Sequence, residues 1–453
     1  MTAGIAPDPQ RTGERPVPVP VRRGYRFELV KLGAQWRIRL LVLACWIAPG
    51  LFVAGVGQQT TLPVDTLFGR WMLATGWASP LVMLGFAGTW GLPLLAAPAA
   101  GDVFAVEDRL GTWRHLLVTV RSPRRIFVAK TLAGLTVIVL LVAGLAVSST
   151  VGGLLAVGDH PLIGLDGQVL TAGSAGVPAI LSWISALAPT LALAAIGLLG
   201  SVALGRNPMG LLLPAMVGLG MQVAQMLPLP VAVRLALPIH AFLSWHGLFT
   251  SPRELGPLLI SVAVSLLWAA AATALAYRIF VRRDFTPAAY DGSGRRALVD
   301  GALPLAGLAV ATVGLLLVTV PGSTGTGITQ ARVESSVATT FARLYRLQAG
   351  QLHRPDVTEA QLQAAAACTK GGGLVDAEGP GNDWRCVVSW HLPEVTAVGQ
   401  AVYQLDVATD GRYVADGDGP KEVNGYFVVR TDNGDAPNPL WQFDGIVELL
   451  PKG

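Results

Sequence analysis

Seven apolar stretches divide the first 320 residues: Leu40 to Val56, Trp71 to Ala100, Thr131 to Val151, Gly176 to Leu204, Pro208 to Pro228, Gly256 to Leu275 and Ala302 to Val320. Each is near or above the ~20 residues a helix needs to cross a ~30 Å hydrocarbon core. None contains Asp, Glu, Lys, Arg or His. The pattern predicts a polytopic α-helical membrane protein with seven transmembrane helices. Beyond a Gly/Thr-rich linker at Gly322 to Gly327 the pattern changes. Val333 to Leu352 has helical periodicity, and Thr358 with Gln361 marks a capped second helix that ends near Cys368. Alternation in Trp384 to Trp390 and Ala401 to Val407 predicts strands, with Asp410-Gly411 as a hairpin turn. Residues 328–453 are therefore expected to form a small α+β domain.

The polar segments carry their own patterns. Residues 1–24 are rich in Pro and Arg, lack periodicity and read as disordered. Tyr25, Leu29, Leu32 and Trp36 recur at helical spacing, while Arg22, Arg26, Glu28, Lys31 and Gln35 are assigned to other faces. Such a segment suits an interfacial helix lying in the membrane plane before the first span. Leu229 to Leu248 is apolar but interrupted by Pro230 and Pro238, with Arg234, His240, Trp245 and His246 spread through it. It reads as a shallow re-entrant or interfacial element with Trp245 at headgroup depth.

Within the spans, Gly197, Ser201 and Gly205 stand four apart, as do Gly50 and Ala54, a spacing that lets helix backbones approach closely. Gln222 and Gln225 either hydrogen-bond to a neighbouring helix or line a cavity. Pro80, Pro93 and Pro98 predict kinks in the second span, or its extension beyond the bilayer.

Charge adds a direction. The segments on the amino-terminal side of the membrane hold 20 Lys and Arg residues, and the opposite gaps hold only Arg70, Arg234 and Arg253. The positive-inside rule converts this into a cytoplasmic amino terminus and an extracytoplasmic carboxyl-terminal domain in a plasma membrane. The net charge of +4 combines +10 over residues 1–320 with −6 over residues 321–453. The positive half suits anionic inner-leaflet lipid and gives no reason to invoke nucleic acid. With 52% hydrophobic and 14% charged residues, the chain is too apolar for an ordinary soluble protein. Cys45 reads as a buried packing residue, whereas Cys368 and Cys386, in a domain placed outside, are expected to form a disulfide. The first apolar run is expected to act as an uncleaved anchor.

Several chemistries lack their residues. The runs hold no ionisable group, which argues against a proton- or sodium-driven carrier. There is no G-x-x-x-x-G-K-[ST] phosphate loop. Lys370 followed by Gly371, Gly372 and Gly373 has the order reversed. The six histidines lack ligand spacing, and no Ser/His/Asp set or paired-carboxylate arrangement can be located. No metal, cofactor or catalytic residue is assigned.

The informative segment is Glu107-Asp108-Arg109-Leu110-Gly111-Thr112-Trp113, continuing through Leu116-Leu117 and Arg121-Ser122-Pro123-Arg124-Arg125 to Lys130. An acidic start leads into an apolar patch of Leu110, Trp113, Leu116 and Leu117, and then a basic turn. This suits either a helix docking in a partner's groove or a basic loop packed on the bilayer.

The acidic-x-x-Gly-Thr signature, the Leu-Leu, the Ser-Pro-Arg turn and the Lys opening the next span resemble the loop between the second and third helices of ABC transporter permeases of the type-2 exporter class. Phe27-Glu28-Leu29-Val30-Lys31-Leu32 is similar to that family's interfacial helix. Together these cover residues 25–281 in a six-span pattern. Gly379-Pro380-Gly381, Asp383-Trp384-Arg385-Cys386, Asn438-Pro439-Leu440 and Phe443-Asp444-Gly445 look like tails of actinobacterial permeases of this kind.

The resemblance implies a six-span permease-like domain at 25–281 with a coupling loop at 101–130. A cytosolic linker at 282–301 and a seventh span at 302–320 then lead to the exterior domain. It further implies that Glu107, Asp108, Arg109, Leu110, Gly111, Thr112 and Trp113 contact a separately encoded ATPase, which would carry ATP and Mg. A homodimer or heterodimer of permeases would then export an apolar or amphiphilic substrate. The competing expectation is a receptor or scaffold whose exterior domain binds a ligand or envelope partner.

Overall fold

The computed structural model describes residues 20–58, 71, 74–206, 209–285, 292–393, 395–432 and 434–451. Of the disordered segment expected over 1–24, residues 1–19 lie outside the described residues, as do the Pro208 start of the fifth span and residues 286–291 of the expected linker; Val21 to Gly24 are instead helical, with Gly24 packed closely against Ala129.

Helix α1 (Val21–Ala34) leads directly into α2 (Trp36–Val56). The next long helix is α3 (Gly76–Gly101), followed by two short ones, α4 (Ala105–Leu110) and α5 (Trp113–Val120). Then comes α6 (Pro123–Ala156), a small hairpin of β1 (Leu162–Ile163) and β2 (Val169–Leu170), α7 (Ala172–Leu204) and α8 (Met209–Met226). The membrane part closes with α9 (Val231–Leu235), α10 (Leu255–Val281) and α11 (Gly294–Thr319). Among the described residues, seven helices are long and apolar enough to cross a membrane: α2, α3, α6, α7, α8, α10 and α11. The protein is thus mostly helical, with the span set of a multi-pass membrane protein.

Helix α7 is the axis of the bundle. Its most apolar window is 83% buried, against 22% for α2 and α11, so those two present most of their surface outward. Glycine permits the tight packing around α7. A Cβ on Gly197 would lie 2.5 Å from Pro214 Cγ, and one on Gly210 would lie 2.9 Å from the Gly200 carbonyl. Gly50 packs similarly on Ser148, whose hydroxyl accepts the Gly50 N–H at 2.9 Å. In α3 the expected kinks take the form of π turns at Ala87–Gly91 and Ala97–Gly101. Pro93 and Pro98 withhold the N–H groups that regular helical bonding would use, so the ladder widens at these points.

The carboxyl-terminal domain packs α12 (Gln330–Gln351) on an antiparallel sheet and adds one turn, α13 (Glu359–Leu362). The sheet contains β3 (Ala365–Lys370), β4 (Gly381–His391), β5 (Val398–Val407) and β6 (Arg412–Gly417). A short helix α14 (Lys421–Asn424) and a ribbon of β7 (Val428–Thr431) with β8 (Gly434–Pro437) precede the last strand, β9 (Gln442–Ile446). The strand order is β3-β4-β5-β6-β9. Val333, Val337, Phe341 and Leu344 recur on one face of α12 and are buried against Trp384, Tyr403, Tyr413 and Phe443 of the sheet. Cys368 and Cys386 lie directly opposite each other on β3 and β4 and form a disulfide. Closing a loop of 18 residues stabilises the domain by about 3 kcal/mol on chain-entropy grounds.

Several expectations need correction. The second tail helix stops at Leu362, because Gln363 adopts a left-handed conformation (φ 42°), and Cys368 belongs to a strand. The seventh span begins at Gly294 inside the expected linker, where the Ser293 hydroxyl accepts the Arg296 N–H. Gly322 to Gly327 is docked, since the Ser323 and Gly325 carbonyls accept the N–H groups of Ala232 and Val231. The broken stretch is buried within the protein, and Trp245, expected at headgroup depth, packs inside it. It folds as α9 and two 3₁₀ turns, Pro238–Phe242 and Ser244–Phe249, and Trp245 is only 2% exposed.

Candidate functional site

The segment expected to couple to a partner is a compact structure rather than a loop. Helix α3 ends at Gly101, and the Ala105 N–H at the start of α4 donates to the buried Ser201 hydroxyl of α7 at 2.9 Å. Gly111 closes α4 at φ 65°, a left-handed conformation that glycine adopts without strain. Its N–H and that of Thr112 both donate to the Glu107 carbonyl. Helix α5 follows, ends at Arg121 (φ 56°), and leads into α6.

The acids of this segment point inward. Glu107 is 0% exposed and Asp108 3%. Lys130 of α6, itself buried, donates to Glu107 Oε1 at 2.7 Å and to Glu28 Oε2 of α1 at 2.9 Å. Lys31 and the Thr112 hydroxyl also donate to Glu107. Asp108 accepts from Trp113 Nε1 at 2.9 Å and from both terminal nitrogens of Arg283, just beyond α10. Three acids thus meet three bases, and each buried charge has an opposite partner. Burial pushes the Glu107 carboxyl up, but the Lys130 charge and hydrogen bonds from Lys130, Lys31 and Thr112 outweigh it and bring it down to about 2. An aromatic shell encloses the cluster. Phe104 meets Phe280 edge-on at 5.0 Å, and Trp113 lies 5.3 Å from Phe280. The Arg283 guanidinium lies 5.6 Å from the Trp113 ring centre.

The expected site residues therefore separate into two groups. Glu107, Asp108 and Trp113 form the base, Thr112 bridges, and Arg109, Leu110 and Gly111 are exposed at the tip, Leu110 by 65%. The apolar patch does not form one outward face: Trp113 is buried, while Leu116 and Leu117 are half-buried against the bundle core.

The interfacial-helix residues also need correction. Tyr25, Leu29 and Leu32 face the protein, with the Tyr25 hydroxyl 2.9 Å from Thr136 Oγ1 of α6. Glu28 shares their face and is 5% exposed. The positions 25, 28, 29 and 32 follow the i, i+3, i+4, i+7 rule, and that spacing could have identified Glu28 as inward. Trp36 starts α2 and is 66% exposed. The outward face of α1 is instead Phe27 and Val30.

A second buried polar cluster lies at the opposite end of the bundle, where the carboxyl-terminal domain docks. Gln225 accepts from Arg234 Nε at 3.3 Å and from His240 Nδ1 at 3.0 Å, and its Nε2 donates to the Arg234 carbonyl at 3.0 Å. Thr409, in the β5-β6 turn, donates its hydroxyl to the Gln225 carbonyl at 2.7 Å, and Arg234 donates back to the Thr409 carbonyl. Gln225 is thus a tertiary anchor; Gln222 is buried beside it on α8. Nearby, Arg343 of α12 donates to Asp166 and to the Ser251 carbonyl, a second tie between domain and bundle.

His240 and His246 are buried in this region, and burial, with the Arg234 charge for His240 and the Arg412 charge for His246, lowers both pKa values to about 3. Unfolded histidines bind protons below about pH 6.5, and these folded ones do so only near 3, so stability falls as pH drops through that window. Each histidine should cost about 2 kcal/mol at pH 5 relative to pH 7. Measured against the intrinsic rate of free amides at each pH, hydrogen-exchange protection over 229–250 and 408–412 should fall at pH 5, and His246→Gln should restore part of it. Equal protection at both pH values would refute this.

Among the described residues, no group of three His, Cys, Asp or Glu side chains is placed to hold a metal ion. No protein-family model matches the chain, and comparison with curated proteins gives no match.

Proposed function

We propose that the chain is the membrane-spanning subunit of an ATP-driven exporter of the ABC type-2 class, powered by a separately encoded ATPase. In this reading its amino terminus and the α4-α5 tip face the cytosol, and the carboxyl-terminal domain lies outside. Two permease subunits, identical or related, move an apolar or amphiphilic substrate outward.

The observation that carries the reading is the mounting of the tip. Arg109, Leu110 and Gly111 are exposed, while Glu107 and Asp108 before them are tied by ion pairs to α1, α6 and the end of α10, and Thr112 and Trp113 after them hydrogen-bond to those two acids. A force applied at Leu110 therefore reaches three other helices through short, desolvated contacts instead of being absorbed by a mobile loop. An exposed leucine beside an arginine also offers an apolar anchor and a charge for register.

The test is co-purification in mild detergent with the candidate ATPase expressed alongside. The wild-type chain should retain it, and Leu110→Asp should reduce retention at least about tenfold, the loss of one interface anchor, with the melting temperature unchanged. If no ATPase is retained, or Leu110→Asp retains it fully, the reading fails. Glu107 is unsuitable as the probe because its substitution disturbs the buried cluster itself.

A further inference from the structure

A groove of about 560 Å³ between α2 and α6 has no charged side chain in its lining, whereas a second, of about 640 Å³, has an arginine at one end. It runs between α6, α7 and α10, with Arg124 and Tyr277 at one end and Ile138 and Leu191 at the other. Small residues, including Gly134, Ala195, Ala270 and Ala274, keep its walls open. It occupies only the half of each helix nearer the α4-α5 tip.

From Arg124 to Ile138 the wall of α6 covers about 21 Å at ~1.5 Å per residue. One leaflet contributes ~15 Å to a ~30 Å hydrocarbon core, and the remainder reaches headgroup depth. The groove is therefore one leaflet deep; Lys130, Thr131 and Thr273 also line it, but the Lys130 ammonium is turned to Glu28 and Glu107, which leaves Arg124 as the exposed charge at its mouth. Arg124 is exposed there and has no ion pair among the described residues. It stands at the start of a 34-residue helix, whose amino-terminal dipole adds to its positive field. Tyr277, on the facing wall, suits the same interfacial depth.

We infer that this groove binds one acyl chain of an anionic phospholipid from the leaflet on the α4-α5 side, with the lipid phosphate paired to Arg124. The apolar walls take the chain without selecting among lipids, and the arginine supplies the preference for negative headgroups. Because α6 also carries Lys130, the lipid packs on the helix that anchors the buried charge cluster. The inference does not rest on the exporter reading and stands or falls separately from it.

The test uses the full-length chain, delipidated in detergent and re-exposed to mixed micelles of phosphatidylglycerol and phosphatidylcholine with matched acyl chains. Native mass spectrometry reads the retained lipid. One phosphatidylglycerol per chain should be favoured by about fivefold, the effect of one basic residue near a headgroup. Arg124→Gln should abolish the preference and leave a lipid bound. Ala274→Phe, at an exposed position, should block the groove and lose both lipids with melting unchanged. Equal retention of the two lipids by the wild type, or a preference that survives both substitutions, would overturn the assignment. So would dissociation of a dimer by Ala274→Phe, since the groove would then be an interface between copies of the chain.

Discussion

Lys130→Met should destabilise the protein by about 3 to 5 kcal/mol, the cost of removing one partner from a buried ion pair. The side chains of Lys130 and Glu28 are 1% and 6% exposed, and Lys130 is the one ion-pair partner of Glu28 among the described residues. Glu107 keeps Lys31 and Thr112, so the uncompensated charge left by the substitution is that of Glu28. Lys130→Met combined with Glu28→Gln should consequently recover at least half of the loss, because the second change removes the stranded carboxylate. Equilibrium unfolding in mild detergent measures both. A single variant within about 1 kcal/mol of wild type would mean that the cluster is hydrated and weak.

Acid should act on the same cluster in a defined direction. The Glu107 carboxyl lies at about 2 in the folded protein against an ordinary 4.5, so its contribution is fully present above about pH 4.5. It fades as pH falls toward 2.

The spans were legible because an uninterrupted apolar run of about 20 residues has few other uses. Their ends were less so. Helix α6 starts eight residues before the expected Thr131, since Arg124, Arg125 and Lys130 end the apolar run without ending the helix, and Pro123 suits its first turn. Burial of the charges was not legible at all. Asp108 and Arg283 are 175 residues apart, and a basic residue at a span end looks the same whether it meets lipid headgroups or a buried carboxylate. The partners of the stretch from Leu229 to Leu248 were hidden for a related reason: Thr409, which bonds to Arg234 and Gln225, comes from a strand turn far along the chain. In the tail, Ala364 to Ala367 has strong helix propensity, yet Ala365 opens β3, because pairing with β4 outweighs a few tenths of a kcal/mol per residue.

That same clamp carries the second large prediction. Arg234 is 1% exposed and links α9 to α8 through Gln225 and to the carboxyl-terminal domain through the Thr409 carbonyl. Burial pulls the Arg234 pKa down, while the charge of Asp410 works in the opposite direction. Arg234→Ala leaves a void, a Thr409 carbonyl without its donor, a Gln225 oxygen held by His240 alone and an acid short of one opposing charge, and should cost about 3 to 5 kcal/mol. The loss should concentrate at the docking surface, because the domain keeps its own core and disulfide. Limited proteolysis should then cut between residues 320 and 330 at least about tenfold faster and release the domain as a folded, disulfide-bonded fragment. Arg234→Lys should recover little, since an ammonium keeps the charge but cannot reach Gln225 and Thr409 together. Cleavage at the wild-type rate in Arg234→Ala would shift the docking energy to Arg343 and Asp166.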